Sequence, residues 1–265
     1  MTAADRLIVA LDFTSLEPAL AMARRLRGLI RTVKVGSALF TACGPEAIRR
    51  LRALGFEVML DLKWFDIPST VELSCRAAVR HRVSMLTVHA RGERAMLDAA
   101  VQGIRDEARR RRLTRPRVLG VTVLTSEGSA RPRQGVATGQ ASVRREVVRL
   151  AHQVLQARCD GIVASAQEAA VLRRRFGTRL RIVCPGIRPA PPVTPSADPA
   201  TGGEAGPASA ADGPARRVRD DQRRVCTPRE ALARGADLLI VGRPITGARD
   251  PRAATQAILN DMECC

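Results

Sequence analysis

The chain has 265 residues, 45% of them apolar and 26% charged, and 44 Lys and Arg against 26 Asp and Glu give a formal charge of +18. That supplies a sizeable core and excludes wholesale disorder. No apolar run approaches the roughly 18 residues of a membrane span, and Asp5, Arg6, Asp12 and Glu17 break the N-terminal apolar stretch that a secretory leader needs.

A short apolar run at 6–12 reads as a strand, and Ser15 stands where it would N-cap a helix over 15–27, with Leu16, Leu20, Ala23 and Leu26 on one face. A second strand at 32–36 precedes a helix over 45–54 that opens on Pro45. Strands at 57–63, 85–90, 118–124 and 161–165 are each followed by a helical pattern, over 71–80, 93–110, 142–157 and 167–175. The last strands, 181–187 and 238–242, precede helices over 228–234 and 251–262. The strands are short and nearly uninterrupted, as strands buried on both faces are. Eight strand–helix units in this length predict an α/β chain folded as a single (β/α)8 TIM barrel domain over 1–265. A doubly wound open sheet is the alternative, but no GxGxxG follows the first strand, so nothing supports a dinucleotide site. Residues 189–219 hold seven of the sixteen prolines, with Gly, Ala and Ser, and read as a flexible insertion after the seventh strand. A shorter Gly- and Arg-rich loop spans 126–140.

Lys34 and Lys63 are the two lysines, so 44 − 2 = 42 of the cations are Arg. Arg keeps its proton at any workable pH, whereas Lys can release one, which marks these two positions for a compact, titratable ammonium or for compositional survival. Residues i and i+2 of a strand share a face. Asp61 and Lys63 therefore project together at the end of the third strand, Leu60 and Leu62 face the helices, and Asp66 follows in the loop before Pro68. Lys34 at the end of the second strand and Asp12 at the end of the first would complete an alternating array of charge at the barrel mouth. A structural ion-pair network would look similar, but buried charge is costly unless paired, and that cost is often accepted for function. Gly186 and Arg188 at the end of the seventh strand, with Gly242 and Arg243 at the end of the eighth, stand where barrels commonly hold phosphate in the loops that follow. Gln222 in the long loop could add a neutral donor. Thr125 and Ser126 supply hydroxyls after the fifth strand, or cap the next element. His89 ends the fourth strand and reads as structural; His81 and His152 read as helix-surface residues. No His, Cys and carboxylate spacing matches a metal site.

The positive charge raises a basic nucleic-acid-binding protein as one reading. Aromatic residues make up only 2% of the chain and the arginines are dispersed, so no nucleic-acid partner is expected. Seven cysteines, an odd number without a CxxC pair, fit a reduced, cytoplasmic setting.

Ala10-Leu11-Asp12, Lys34-Val35-Gly36, Asp61-Leu62-Lys63, Asp66-Ile67-Pro68, 121–126, 165–168, 185–189, 221–224 and Gly242-Arg243-Pro244 stand in this order along the chain. With them the sequence resembles the bacterial type of orotidine 5′-phosphate decarboxylase over nearly its whole length. The resemblance implies cofactor-free decarboxylation of orotidine 5′-monophosphate to uridine 5′-monophosphate and CO2, the final step of UMP synthesis. It also implies a homodimer with shared active sites. Lys63 would donate the proton to C6, Asp61 would lie against the substrate carboxylate, and Lys34 would hold the array. Asp66 would reach into the neighbouring subunit's site, and Thr70, supplied with the Asp66 loop, would also touch substrate. Asp12 would bind near the ribose and Thr125 near the base. Arg188, Gln222, Gly242 and Arg243 would hold the phosphate side. Trp64-Phe65 and Ser69 depart from the family's usual pattern without replacing a charged member of the array, and 189–219 is longer than is usual there. A metal-assisted sugar-phosphate decarboxylase or lyase on the same barrel is the second enzymatic alternative.

Overall fold

The alternation of buried side chains along each strand explains the architecture. Val33 and Val35 point outward into the layer shared with the helices, while Ile8, Ala10, Met59, Met85, Leu119, Val121, Val163, Val183, Leu238 and Ile240 form a separate cluster inside the barrel. The structure is a computed structural model and describes residues 1–124, 140–189 and 225–263. Eight parallel strands close into a barrel in sequence order: β1 (Leu7–Ala10), β2 (Thr32–Gly36), β3 (Glu57–Trp64), β4 (Met85–His89), β5 (Arg117–Val121), β6 (Gly161–Val163), β7 (Arg181–Cys184) and β8 (Leu238–Val241). β1 pairs with β2 on one side and with β8 on the other, Val9 standing opposite Val33 and Val241. The open-sheet alternative is thereby excluded.

The helices are α1 (Ala3–Arg6), α2 (Leu16–Leu26), α3 (Ser37–Cys43), α4 (Pro45–Ala53), α5 (Pro68–Arg80), α6 (Arg94–Arg111), α7 (Gln140–Gln156), α8 (Ala166–Phe176), α9 (Pro228–Ala233), α10 (Arg243–Thr246) and α11 (Pro251–Glu263). Three of these were not expected. α1 is a single turn held by a capping box between Thr2 and Asp5, α10 is another short turn, and α3 starts on Gly36 with no side-chain cap to announce it. Ser15 occupies the N-cap of α2, but its side chain makes no capping bond. Lys34 lies mid-strand rather than at a strand end, and Asp12, Arg188 and Arg243 lie beyond the ends of their strands.

Past β7 the chain is pinned by an isolated parallel bridge between Ile187 and Cys226. Arg188 N–H donates to the Cys226 carbonyl at 2.9 Å, and Cys226 N–H to the Gly186 carbonyl at 3.2 Å. The expected insertion at 189–219, apart from Pro189, and all but the last residue of the 126–140 loop lie outside the described residues.

Candidate active site

The barrel interior is apolar in its lower layers and turns polar at the C-terminal ends of β2, β3 and β4. Thr32, Lys34 and Gly36 alternate with the outward Val33 and Val35, so Lys34 points inward. The register sets Lys34 beside Met59 and Gly36 beside Asp61. β3 then breaks its ladder with β4 between Leu60 and Trp64, and Lys63 takes a left-handed backbone conformation with φ 52°. For a residue with a Cβ this costs about 1–2 kcal/mol. The kink tilts the Lys63 side chain back over the mouth, where its Nζ meets Asp61 Oδ2 at 2.9 Å.

The result is a linear array of alternating charge. Lys34 Nζ donates to Asp12 Oδ1 at 2.8 Å and lies 3.4 Å from Asp61 Oδ2. The Lys34 and Asp61 side chains are each only 9% exposed, against 36% for Lys63 and 59% for Asp12, so the array is dry at its centre and wet at both ends. Burial raises the Asp61 carboxyl, but the ammonium groups of Lys34 and Lys63 outweigh it and the net direction is down. Burial likewise lowers Lys34, and Asp61 with Asp12 reverses it to a net rise. Both groups are therefore held charged.

Thr87 on β4, which sequence reasoning missed, completes the shell. Its hydroxyl donates to Asp61 Oδ1 at 2.9 Å and accepts from Lys63 N–H at 2.9 Å, tying the carboxylate to the kinked backbone. Gly36 is the second omission. A Cβ there would stand 2.9 Å from Asp12 Oδ1 and 3.0 Å from Lys34 Nζ, so the absence of a side chain lets the ammonium reach its carboxylate.

A cavity of about 510 Å³ opens above the array, lined by Asp12, Lys34, Asp61 and Lys63 and, after β7 and β8, by Arg188, Gly242 and Arg243. Seven of the expected residues thus share one cavity with Ser165, whose hydroxyl accepts from Gln167 N–H at the start of α8. Asp66 and Thr70 do not join them. Both are exposed, and Asp66 Oδ1 accepts from Ile67 N–H at 2.7 Å, so the expected convergence of Asp66 with Asp61 and Lys63 does not occur within one chain. Thr125 and Gln222 lie outside the described residues. His89 stays out of the cavity lining and packs its ring on Phe65, centroids 5.6 Å apart. Among the described residues no three His, Cys, Asp or Glu side chains gather where they could hold a metal ion.

In chemical terms the site offers an ammonium at the edge of a buried carboxylate, a second ammonium fixing that carboxylate from behind, and two guanidinium groups on a separate stretch of wall. An anionic group suits the guanidiniums, and a carbon centre gaining negative charge suits the exposed ammonium.

The chain is similar to known proteins over nearly its whole length. A protein of Halorhodospira halophila named orotidine 5′-phosphate decarboxylase is 44% identical over 258 residues, covering 97% of this chain and 95% of that one. One of the same name from Moorella thermoacetica is 41% identical over 263 residues, covering 99% and 94%. The crystal structure of orotidine 5′-phosphate decarboxylase from Lactobacillus acidophilus superposes with a TM-score of 0.72 at 28% identity, covering 97% of this chain and 99% of that one. The family described as orotidine 5′-phosphate decarboxylase / HUMPS matches residues 5–258. With the barrel, the array and the full-length similarity in agreement, the chain belongs to that family.

Proposed function

We propose that the chain decarboxylates orotidine 5′-monophosphate to uridine 5′-monophosphate and CO2, and that Lys34, Asp61 and Lys63 carry the reaction. The observation behind this reading is the array itself: a titratable ammonium held 2.9 Å from a buried carboxylate at the floor of a cavity. The bond from C6 to the carboxylate breaks, CO2 leaves, and the electron pair stays on C6. Lys63 gives a proton from Nζ to that pair and is reprotonated from solvent, to which it is open.

Orotate offers no obvious sink for the electrons, so the protein must supply the field. Asp61 beside the substrate carboxylate repels it. Two unit charges about 4 Å apart are worth roughly 4 kcal/mol at an effective dielectric near 20. Enzymes as a class lower barriers by about 8–23 kcal/mol. Repulsion is therefore the smaller contribution, and the fixed ammonium, already oriented by Asp61 and Thr87, is the larger. Arg188, Gly242 and Arg243 bind the phosphate, and that binding energy positions the ring over Lys63. Asp12 meets the ribose while it holds Lys34. Thr125 at the base and Gln222 at the phosphate complete the assignment.

The second part of the proposal is a homodimer in which Asp66, with Thr70, enters the partner's site. Its support is that Asp66 is exposed on a loop flanked by Phe65 and Ile67, with Leu73 on the following helix, and all three apolar side chains are largely exposed. We also read 1–265 as one domain with 189–219 inserted in it, because the bridge at Ile187 and Cys226 brings the two flanks together. Free thiols at Cys43, Cys75, Cys159, Cys184 and Cys226 support a reducing, cytoplasmic setting, and no helix among the described residues is long and apolar enough to cross a membrane.

The test is an ultraviolet assay of the purified chain with orotidine 5′-monophosphate, with and without a chelator. Turnover that ignores the chelator is expected. No turnover would sink the activity; turnover lost on chelation would point to the metal-assisted alternative.

A further inference from the structure

The opposite end of the barrel carries a second cavity, of about 390 Å³, where β3, β4 and β5 begin. Its walls hold Arg52, Arg82, Arg112, Arg115, Arg117 and Glu57. Half of these charges already have work. Glu57 is neutralised by Arg31 at 2.9 Å, Arg115 is paired with Asp160, and Arg52 donates to the Arg82 carbonyl at 2.6 Å. Arg82, Arg112 and Arg117 are different: among the described residues their side chains have no hydrogen-bond or ion-pair partner.

Cations near helix C-termini ordinarily complement the helix dipole. Here that role is filled from within the helices, by Arg50 and Arg52 in α4, Arg80 in α5, and Arg109, Arg110 and Arg111 in α6. Arg82 and Arg112 lie just beyond the last two of these helices, with φ 56° and 54°. Such left-handed positions after a helix are ordinarily glycine, because a Cβ is strained there. Two long cations thus occupy positions that backbone chemistry reserves for no side chain, and both line one cavity. Guanidinium groups present planar pairs of N–H donors that match phosphate oxygens. No aromatic side chain lines the cavity, so nothing there would stack a base.

We propose that this cavity binds a linear polyphosphate group, either free or as the tail of a nucleotide, through Arg82, Arg112 and Arg117. It is separate from the decarboxylation site, shares no lining residue with it, and stands whether or not that activity is confirmed.

The test is calorimetric titration of inorganic tripolyphosphate into the full chain and two variants. Arg82→Gly/Arg112→Gly removes both cations while relaxing both backbones, so it should unfold no earlier than the unaltered chain and bind about tenfold more weakly or worse. Arg144→Ala/Arg145→Ala, an equal loss of charge on the exposed side of α7, should bind as the unaltered chain does. Equal binding by the double glycine variant, loss of binding in the α7 variant, or no saturable binding at all would overturn the proposal. Repeating the titration with adenosine triphosphate separates the sources: tighter binding identifies a nucleotide, equal binding free polyphosphate, and both are consistent with the site.

Discussion

Replacing Lys63 by Ala should abolish turnover, to below a few per cent of the unaltered rate, with the circular dichroism spectrum unchanged. Lys63→Arg should fail as well, since a guanidinium is larger and does not release its proton. The left-handed backbone adds a stability signature: Lys63→Gly should be more stable to urea than Lys63→Ala by about 1 kcal/mol, because glycine pays no Cβ penalty there. Equal stabilities would mean that the kink is not held in solution. Gly36→Ala tests the geometry of the array without touching its charges. The new methyl meets only the side-chain ends of Asp12 and Lys34 and no backbone, so the fold should survive while kcat falls about tenfold or more from the displaced ammonium; an unchanged kcat would remove the close approach from the mechanism. These residues differ in how far the sequence announces them. Lys34, Asp61 and Lys63 stand out because lysine is scarce and strand alternation puts 61 and 63 on one face. Thr87 does not, since threonine in a strand is an ordinary β-former, and the role of Gly36 depends on distances to two side chains of the folded barrel.

Among the helices, α6 offers a test in which a charge is read through pH. Glu107 is buried to 1% exposure beneath the last turn, accepts hydrogen bonds from Arg110 and Arg111, and lies 3.4 Å from Arg80 of α5. The bonds from Arg110 and Arg111 hold its carboxyl at about 2, against an opposing push from burial. A carboxyl lowered in the folded state stabilises above its ordinary range near 4.5, and that stability is lost as pH falls from there toward 2. Glu107→Gln should therefore lower stability at neutral pH and flatten the dependence between those limits. A parallel downward shift of the whole curve would contradict this account. Elements of this length were legible because their periodicity runs over several turns. The apolar pattern overruns the ladder by two or three residues at the ends of β1, β5, β6 and β7, where it continues into the loops that build the mouth. The short turns α1 and α10 offered too few residues for any period to show.

For the whole molecule, the exposed Asp66 makes a prediction about assembly. If each site draws Lys63 from one subunit and Asp66 from the other, then Lys63→Ala and Asp66→Ala chains, each inactive alone, should recover activity when refolded together. Random pairing leaves one intact site in half of the dimers, so about a quarter of the unaltered activity is expected; none would place both residues in one subunit's site or dispense with the partner. The eightfold alternation made the barrel legible without any single diagnostic residue, whereas the outward turn of Asp66 could not be read from one chain's sequence. The pairing of β1 with β8 has a further consequence during synthesis. Val9 emerges from the ribosome early, but its neighbour Val241 follows only after the other seven strands have been translated. Until then the growing sheet has two unsatisfied borders. Such a chain should depend on cellular folding helpers most heavily in the interval before its final strand clears the exit tunnel.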